Sequence, residues 1–230
     1  MFTAYIGPLK KAGLFQGVTT PDLLTMLGCL EPKLNTYRRN DFIAVSGEKF
    51  ESVGILLQGE ATVIKENATG NRIVIDILEA GALCGAEVVF TKEPVWPNSV
   101  VAQEASKVLF VSRQKILGQC YKVCLCHRLI IENMLKIVSE KAMLLNKKVE
   151  YLTIKSMRGK IATFLLDQYR RTGKIIFDLP LNRNEMAEFL NVSRPSMSRE
   201  MGRMKAEGII DFHLSTIRIK DLDALKKLAG

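Results

Sequence analysis

The chain has 230 residues, of which 47% are apolar, and a formal net charge of +9. This length buries a sizeable core, and the high hydrophobic content excludes intrinsic disorder. No apolar run approaches the roughly 18–20 residues of a membrane-spanning helix. The N-terminus also lacks the basic and long apolar regions of a secretory signal. We therefore expect a protein that neither spans a membrane nor is exported.

The positive charge is concentrated towards the C-terminus. Residues 151–230 carry 15 Lys/Arg and 9 Asp/Glu, whereas residues 1–150 carry 18 and 15. A compact basic region is typical of a protein that binds a polyanion, although solubility alone explains the charge equally well.

Cysteine and histidine usage limits the chemistry. An odd number of cysteines without an export signal predicts reduced thiols in the cytoplasm. With two histidines in the chain, a multi-histidine metal site or a histidine-based triad has little support. The sequence also lacks a phosphate-binding glycine loop and a carboxylate pair in a recognisable context, so we expect no enzyme. The cysteines are Cys29, Cys84, Cys120, Cys124 and Cys126.

The first 110 residues are dominated by short, β-branched segments bounded by glycine or charge. A helix from Pro21, with Thr20 as its N-cap, is predicted before them. The regular spacing of the segments predicts a compact β-roll or barrel. The predicted strands are 41–45, 53–57, 61–65, 72–78, 100–102 and 108–111.

Beyond residue 111 the period of the apolar residues becomes helical. Ser112 caps a short predicted helix, and a long one follows over residues 123–152. One apolar seam alternates spacings of four and three, and a second stripe lies beside it. Two apolar faces favour packing on the roll and on a second copy of the chain; burial within one subunit is the alternative. The seam is Ile131, Leu135, Val138, Ala142, Leu145, Val149 and Leu152, and the stripe is Ile130, Met134, Ile137, Leu144 and Tyr151.

The last 80 residues predict helices followed by a hairpin. A helix over Ser156–Tyr169 precedes a strand at 175–179. Asn182, with Glu185 three residues later, predicts a capping box. After a tight turn, Ser193 caps another helix, in which Pro195 is tolerated within the first turn. Its inward residues are Met197, Met201, Met204 and Ile209, and segments 210–213 and 216–219 predict a two-stranded wing.

Two short helices joined by a tight turn are typical of a helix-turn-helix, whose second helix enters the major groove with its N-terminal turns leading. Arg194, Ser198 and Arg199 share one face of that helix, with Ser196 flanking it. Arginine can donate two hydrogen bonds to guanine, and serine hydroxyls suit phosphates. The alternative is a set of solvated charges on an ordinary helical domain.

The sequence resembles the Crp/Fnr family of bacterial transcription regulators over almost its whole length. Segments 47–63 and 81–85 are similar to the family's β-roll signature and its glycine-bounded turn, and 190–199 is close to its recognition helix. The resemblance implies an α+β fold with a cyclic-nucleotide-binding-type roll at 1–122, a dimerisation helix at 123–152 and a winged helix-turn-helix at 153–230. It also implies duplex DNA, a second copy and RNA polymerase as partners.

The resemblance also implies roles for single residues. Arg194 and Arg199 take base-reading positions, and Arg183, His213 and Ser215 take positions near the DNA backbone. Pro195 stands where the family commonly has a glutamate, which changes the preferred DNA site because proline cannot accept a hydrogen bond from a base.

The roll departs from family members that bind cyclic nucleotides. Ala86, Trp96 and Pro97 stand where those members place the ribose and phosphate ligands, and no arginine lies between Arg72 and Arg113. A buried phosphate without a cation is costly, so cyclic AMP is not the expected effector. An apolar or aromatic effector and an unliganded sensor remain open. The expected pocket is Ile75, Leu78, Gly85, Ala86, Trp96, Pro97, Leu145 and Asn146.

Two further hypotheses remain. The chain is a constitutive DNA-binding protein that keeps the roll as a dimerisation scaffold, or it senses metal or redox state through Cys120, Cys124 and Cys126 beside His127. Packing in the core is the alternative role for these cysteines. No cofactor is predicted.

Overall fold

The computed structural model describes residues 2–66, 72–118 and 125–229, apart from the side chains of residues 125 and 126. The chain divides into two compact units, residues 1–141 and 142–230. The division falls within the long helix, and the three-part division expected from the sequence stays a prediction.

Antiparallel strands form the body of the first unit. Within its described residues they are β1 (Lys33–Tyr37), β2 (Phe42–Ala44), β3 (Ser52–Gln58), β4 (Ala61–Glu66), β5 (Arg72–Leu78), β6 (Leu83–Cys84), β7 (Ser99–Ala102) and β8 (Ser106–Ser112). They pair in two sheets of order β1-β8-β3-β6 and β2-β7-β4-β5. This arrangement confirms the predicted roll. The polar sequence of β1 gave no strand signal, so β1 was not predicted.

The alternation of β3 explains how the roll is filled. Val53, Ile55 and Leu57 point to a core that includes the N-terminal helices. Leu56 points to the opposite side, into the core that contains Trp96. A strand buried on both faces therefore joins two apolar clusters, as period-2 geometry requires.

Three helices border the roll: α1 (Ile6–Lys11), α2 (Thr20–Leu30) and α3 (Arg113–Leu117). The expectation that Thr20 caps α2 is wrong, because the Thr19 hydroxyl accepts the Asp22 amide and places Pro21 inside the first turn. Ser112 caps α3 as predicted. No described helix is both long enough and apolar enough to cross a bilayer.

The long helix α4 (Leu125–Thr153) contributes to both units. Ile130 and Met134 are buried in the core of the roll, and Asn133 donates to the backbone carbonyls of Leu14 and Gln16. Tyr151 is buried in the core of the second unit. The predicted seam stays largely uncovered in the single chain, with large exposed side chains at Leu135, Val138, Leu145, Val149 and Leu152.

The second unit packs helices on a small sheet. Beyond α4 it contains α5 (Met157–Thr172), β9 (Ile176–Asp178), α6 (Arg183–Phe189), α7 (Arg194–Ala206), β10 (Ile210–His213), β11 (Thr216–Ile219) and α8 (Leu222–Ala229). The sheet order is β10-β11-β9. The predicted helices and the wing are confirmed, whereas the short α8 was not predicted.

Candidate nucleic-acid interface

Helix caps define the two helices of the candidate reading motif. The Asn182 side chain accepts the Glu185 amide at 3.0 Å, and Glu185 accepts the Asn182 amide at 2.7 Å. This confirms the predicted capping box at the start of α6. Asn191 adopts a left-handed conformation in the turn (φ 51°), and the Ser193 hydroxyl accepts the Ser196 amide to begin α7. Asparagine tolerates that conformation better than most residues.

Buried contacts fix α7 from below. Met197, Met201 and Met204 are almost fully buried in the core of the unit. From α5, the buried Lys160 ammonium donates to the Leu190 carbonyl over 3.0 Å, which gives the charge a partner at the end of α6. The turn between α6 and α7 is therefore anchored to the rest of the unit.

A second anchor holds α7 through its carboxylates. Arg158 donates to both oxygens of Glu207, at 2.8 and 2.9 Å, and also to Glu200. Hydrogen bonds from Arg158 lower the pKa of Glu207, and those to Glu207 and Glu200 raise the pKa of Arg158. The carboxylates of Glu200 and Glu207 are therefore both bound by Arg158.

The outer face of α7 is open and rich in donors. Arg194, Pro195, Ser198 and Arg199 are exposed, while Ser196 is half-buried. The Arg199 guanidinium donates to the Ser196 hydroxyl at 3.1 Å, which favours one orientation of the arginine. The first turns of α7 therefore combine hydroxyls and cations, a combination suited to phosphates and guanine edges.

The wing lies beside this helix in the same unit. Arg183 is half-buried: it donates to Met201 Sδ at 2.8 Å and to the Leu214 carbonyl at 3.4 Å, and burial lowers its pKa. His213 and Ser215 are exposed at the wing turn. Leu214, which is not among the residues predicted to contact DNA, is 81% exposed at φ 52°. A left-handed conformation is unusual for a bulky residue and marks Leu214 as a functional candidate. This conformation is visible only in the structure.

The roll contains a cavity of about 200 Å³. Four of the predicted pocket residues line it: Ile75, Leu78, Trp96 and Pro97. Gly85 and Ala86 are buried but are not among its walls. Leu145 and Asn146 are exposed residues of the second unit, and their role stays a prediction. The remaining walls were missed by sequence reasoning, and they are Val63, Asp76, Leu83, Cys84, Glu87, Asn98 and Lys141.

Aromatic packing shapes the wall of this cavity. Trp96 lies against Phe50 with ring centroids 4.7 Å apart, and the Trp96 indole N–H has no acceptor among the described residues. Gly85 has φ 83°, and a Cβ there would lie 2.3 Å from Phe50, so only glycine fits. Burial raises the pKa of the Cys84 thiol to about 12. The part of the wall around Trp96 is thus apolar, with an uncharged thiol beside it.

Two of the charged groups at the cavity form an ion pair. Of the described residues that line it, Lys141 alone is cationic, and its ammonium contacts Glu87 at 2.7 Å. Asp76 adds another carboxylate to the wall.

The cysteine hypothesis falls mostly beyond the described residues. Cys120 and Cys124 lie outside them, and the side chain of Cys126 is likewise not described. His127 contacts the Ile116 carbonyl at 2.9 Å. Within the described part of the chain, no group of three His, Cys, Asp or Glu side chains is placed to hold a metal ion.

Comparison with known proteins assigns both units. Residues 34–121 match the cyclic nucleotide-binding domain, and residues 159–228 match the Crp-like helix-turn-helix domain. The chain is 20% identical to the cyclic AMP receptor protein of Thermus thermophilus over 96% of its length and 98% of that protein. It is also 20% identical to the anaerobic regulatory protein of Bacillus subtilis, covering 82% and 79% of the two chains.

A solved structure shows the same fold. The catabolite activator protein of Thermus thermophilus aligns with a TM-score of 0.54 over 95% of this chain and 98% of that one, at 20% identity. The two domains follow one another within one chain, and the relative that matches nearly all of it is named a cyclic AMP receptor protein. The chain therefore belongs to the Crp/Fnr family of DNA-binding transcription regulators.

Proposed function

We propose that the protein is a homodimeric regulator that binds a specific DNA sequence and responds through its roll to an effector other than cyclic AMP. The observation that carries the DNA part is the outer face of α7, where Arg194, Ser198 and Arg199 are exposed above a fully buried methionine face. A helix anchored in this way presents its N-terminal turns as a rigid surface for the major groove.

The exposed seam of α4 supports the dimer. Leu135, Leu145, Val149 and Leu152 are each more than half exposed in the single chain. Large apolar side chains repeated at heptad spacing are the pattern that two helices bury against each other. A twofold dimer would offer two α7 helices to half-sites about 34–36 Å apart.

The dimer is tested by adding a charge to the seam. Leu145→Asp should yield a monomer in light scattering, whereas Ser139→Asp, at an exposed polar position of the same helix, should remain dimeric. A dimer that survives Leu145→Asp, or is lost equally in both variants, contradicts the seam as interface.

The cavity chemistry supports an effector that is not cyclic AMP. No arginine lines the described cavity, and its lysine is already paired with Glu87. A volume of about 200 Å³ is also below the roughly 300–1,000 Å³ of sites for drug-sized ligands. A small apolar or aromatic molecule fits these walls. Micromolar cyclic AMP binding in calorimetry would overturn this part.

The long helix supports coupling between the two activities. Its first half fills the core of the roll through Ile130 and Met134. Its end enters the core of the DNA-binding unit at Tyr151, whose ring lies 5.2 Å from that of Phe189 in α6. A shift of one helix therefore disturbs both cores, which is the kind of element that allostery requires. A transcription regulator also contacts RNA polymerase, which we therefore propose as a further partner.

Selection of duplexes from a random pool tests the DNA part directly. Enrichment of a two-part sequence with half-sites one helical turn apart supports the proposal. Recovery of no common sequence favours a non-specific DNA-binding protein, and affinity unchanged by extracts or ligands favours the constitutive alternative.

A further inference from the structure

Helix geometry identifies the residues at the centre of the outer face of α7. The buried direction is given by Met197, Met201 and Met204. At about 100° per residue, Pro195 and Arg199 lie within roughly 30° of the opposite direction. Arg194 lies more than about 100° away, and it is exposed as the first residue of α7, to the side of this face. The residues that meet the floor of a groove are therefore Pro195 and, one turn later, Arg199.

Pro195 gives this centre an apolar character. It is exposed at the second position of α7, where the missing amide hydrogen costs no intrahelical bond. Its ring can neither donate nor accept a hydrogen bond. In the major groove, the apolar group that a base pair presents is the 5-methyl of thymine.

The carboxylates of Glu200 and Glu207 are not available to contact a base. Glu200 and Glu207 are both bound by Arg158, and the Glu200 side chain is largely buried. The face therefore offers no carboxylate among α7's own residues to accept from cytosine N4 or adenine N6. Arg199, held by Ser196, keeps donors for guanine O6 and N7.

We infer that Pro195 is a specificity-determining residue that packs against a thymine methyl in each half-site. This inference rests on the proposed function, because it needs a DNA sequence that the protein selects. One helical turn advances about 5.4 Å, between one and two steps of 3.4 Å along a DNA strand. The thymine therefore lies within two base pairs of the guanine that Arg199 reads.

Replacing thymine by uracil tests this contact, because uracil keeps every hydrogen-bonding group and loses the methyl. In the selected duplex, each thymine is exchanged in turn and the affinity is measured by fluorescence anisotropy at fixed salt. At one position, uracil should lower the affinity of the wild type about threefold to tenfold, because one methyl group is no longer buried against the protein. Pro195→Ala should bind the thymine and uracil duplexes nearly equally.

Pro180→Ala is the matched control, since Pro180 is an exposed proline of the same unit outside the reading motif. It should keep the full thymine preference. The inference is overturned if no uracil exchange near the guanine weakens wild type, if Pro195→Ala keeps the preference, or if the selected site has no thymine there. Failure to select any site would instead contradict the proposed function.

Discussion

The outer face of α7 and the cavity of the roll differ in the chemistry of the side chains that form them. The α7 face is open, with arginine and serine donors that come from seven consecutive residues, 193–199. The cavity is lined mostly by apolar side chains, and its ion pair joins Glu87 to Lys141, 54 residues apart. One surface suits a long polyanion, and the other suits a small molecule without charge.

This difference teaches how each surface can be disturbed. A change on the α7 face removes a contact to a partner and leaves the fold intact, because the side chains there touch little of their own chain. A change in the cavity wall alters packing as well as binding, because Trp96 and Cys84 are also members of the roll core. Experiments that compare matched positions in the two units therefore separate the two effects.

The largest expected difference concerns thiol reactivity. The rise in the pKa of Cys84 from 9.0 to about 12 reduces its thiolate about 1,000-fold at neutral pH, and alkylation follows the thiolate. Native protein treated with iodoacetamide and mapped by mass spectrometry should keep Cys84 free, whereas guanidinium-unfolded protein should be modified there. Exposed Cys29 is the internal control, and equal labelling of both cysteines in native protein would contradict the burial of Cys84.

Arg199→Ala should produce the next largest effect. Loss of a bidentate arginine–guanine contact costs about 1–3 kcal/mol, so the affinity for the selected duplex should fall roughly 5- to 150-fold. Arg72→Ala is the control: Arg72 is an ion-paired arginine of the roll, beside Glu66, and its removal should leave DNA affinity unchanged. An equal loss on random DNA would show that Arg199 contacts phosphate instead.

The contrast between the two surfaces also explains which features could be predicted from the sequence. Caps at Ser112, Asn182 and Ser193 depend on residues three positions apart, and each is found as predicted. The recognition helix is likewise a local pattern. The cavity walls are not local, since Val63, Leu83 and Lys141 meet only through tertiary packing, and no spacing in the sequence signals that meeting.

Acid should weaken the DNA-binding unit through Glu207. Hydrogen bonds from Arg158 lower the pKa of Glu207 below its ordinary 4.5. The stabilisation is therefore complete above that ordinary value and is lost as the pH falls through the lowered one. The protection factors of α7 amides, which are exchange rates corrected for the intrinsic effect of pH, should fall over this range.

Glu207→Gln should reduce the change in exchange with pH, although Asp211, whose pKa is lowered by Lys205, adds its own contribution. Fluorescence of Trp96, the single tryptophan of the chain, follows the roll in the same samples. Protection factors in α7 that are the same at all acidic pH values would show that the Arg158 contacts do not stabilise the helix.

The smallest expected effects come from two glycines that have open space around them. A Cβ at Gly202 in α7 or at Gly28 in α2 meets nothing within 4 Å. Alanine should therefore stabilise either helix by about 0.5–1 kcal/mol, measured by chemical denaturation. Only Gly202→Ala should also weaken DNA binding, by a few fold, because its methyl lies on the side of α7 that carries Pro195 and Arg199. Gly28→Ala should leave the DNA affinity unchanged. If Gly202→Ala binds the selected duplex as wild type does, this part of α7 does not approach DNA closely, and the reading surface ends at Arg199.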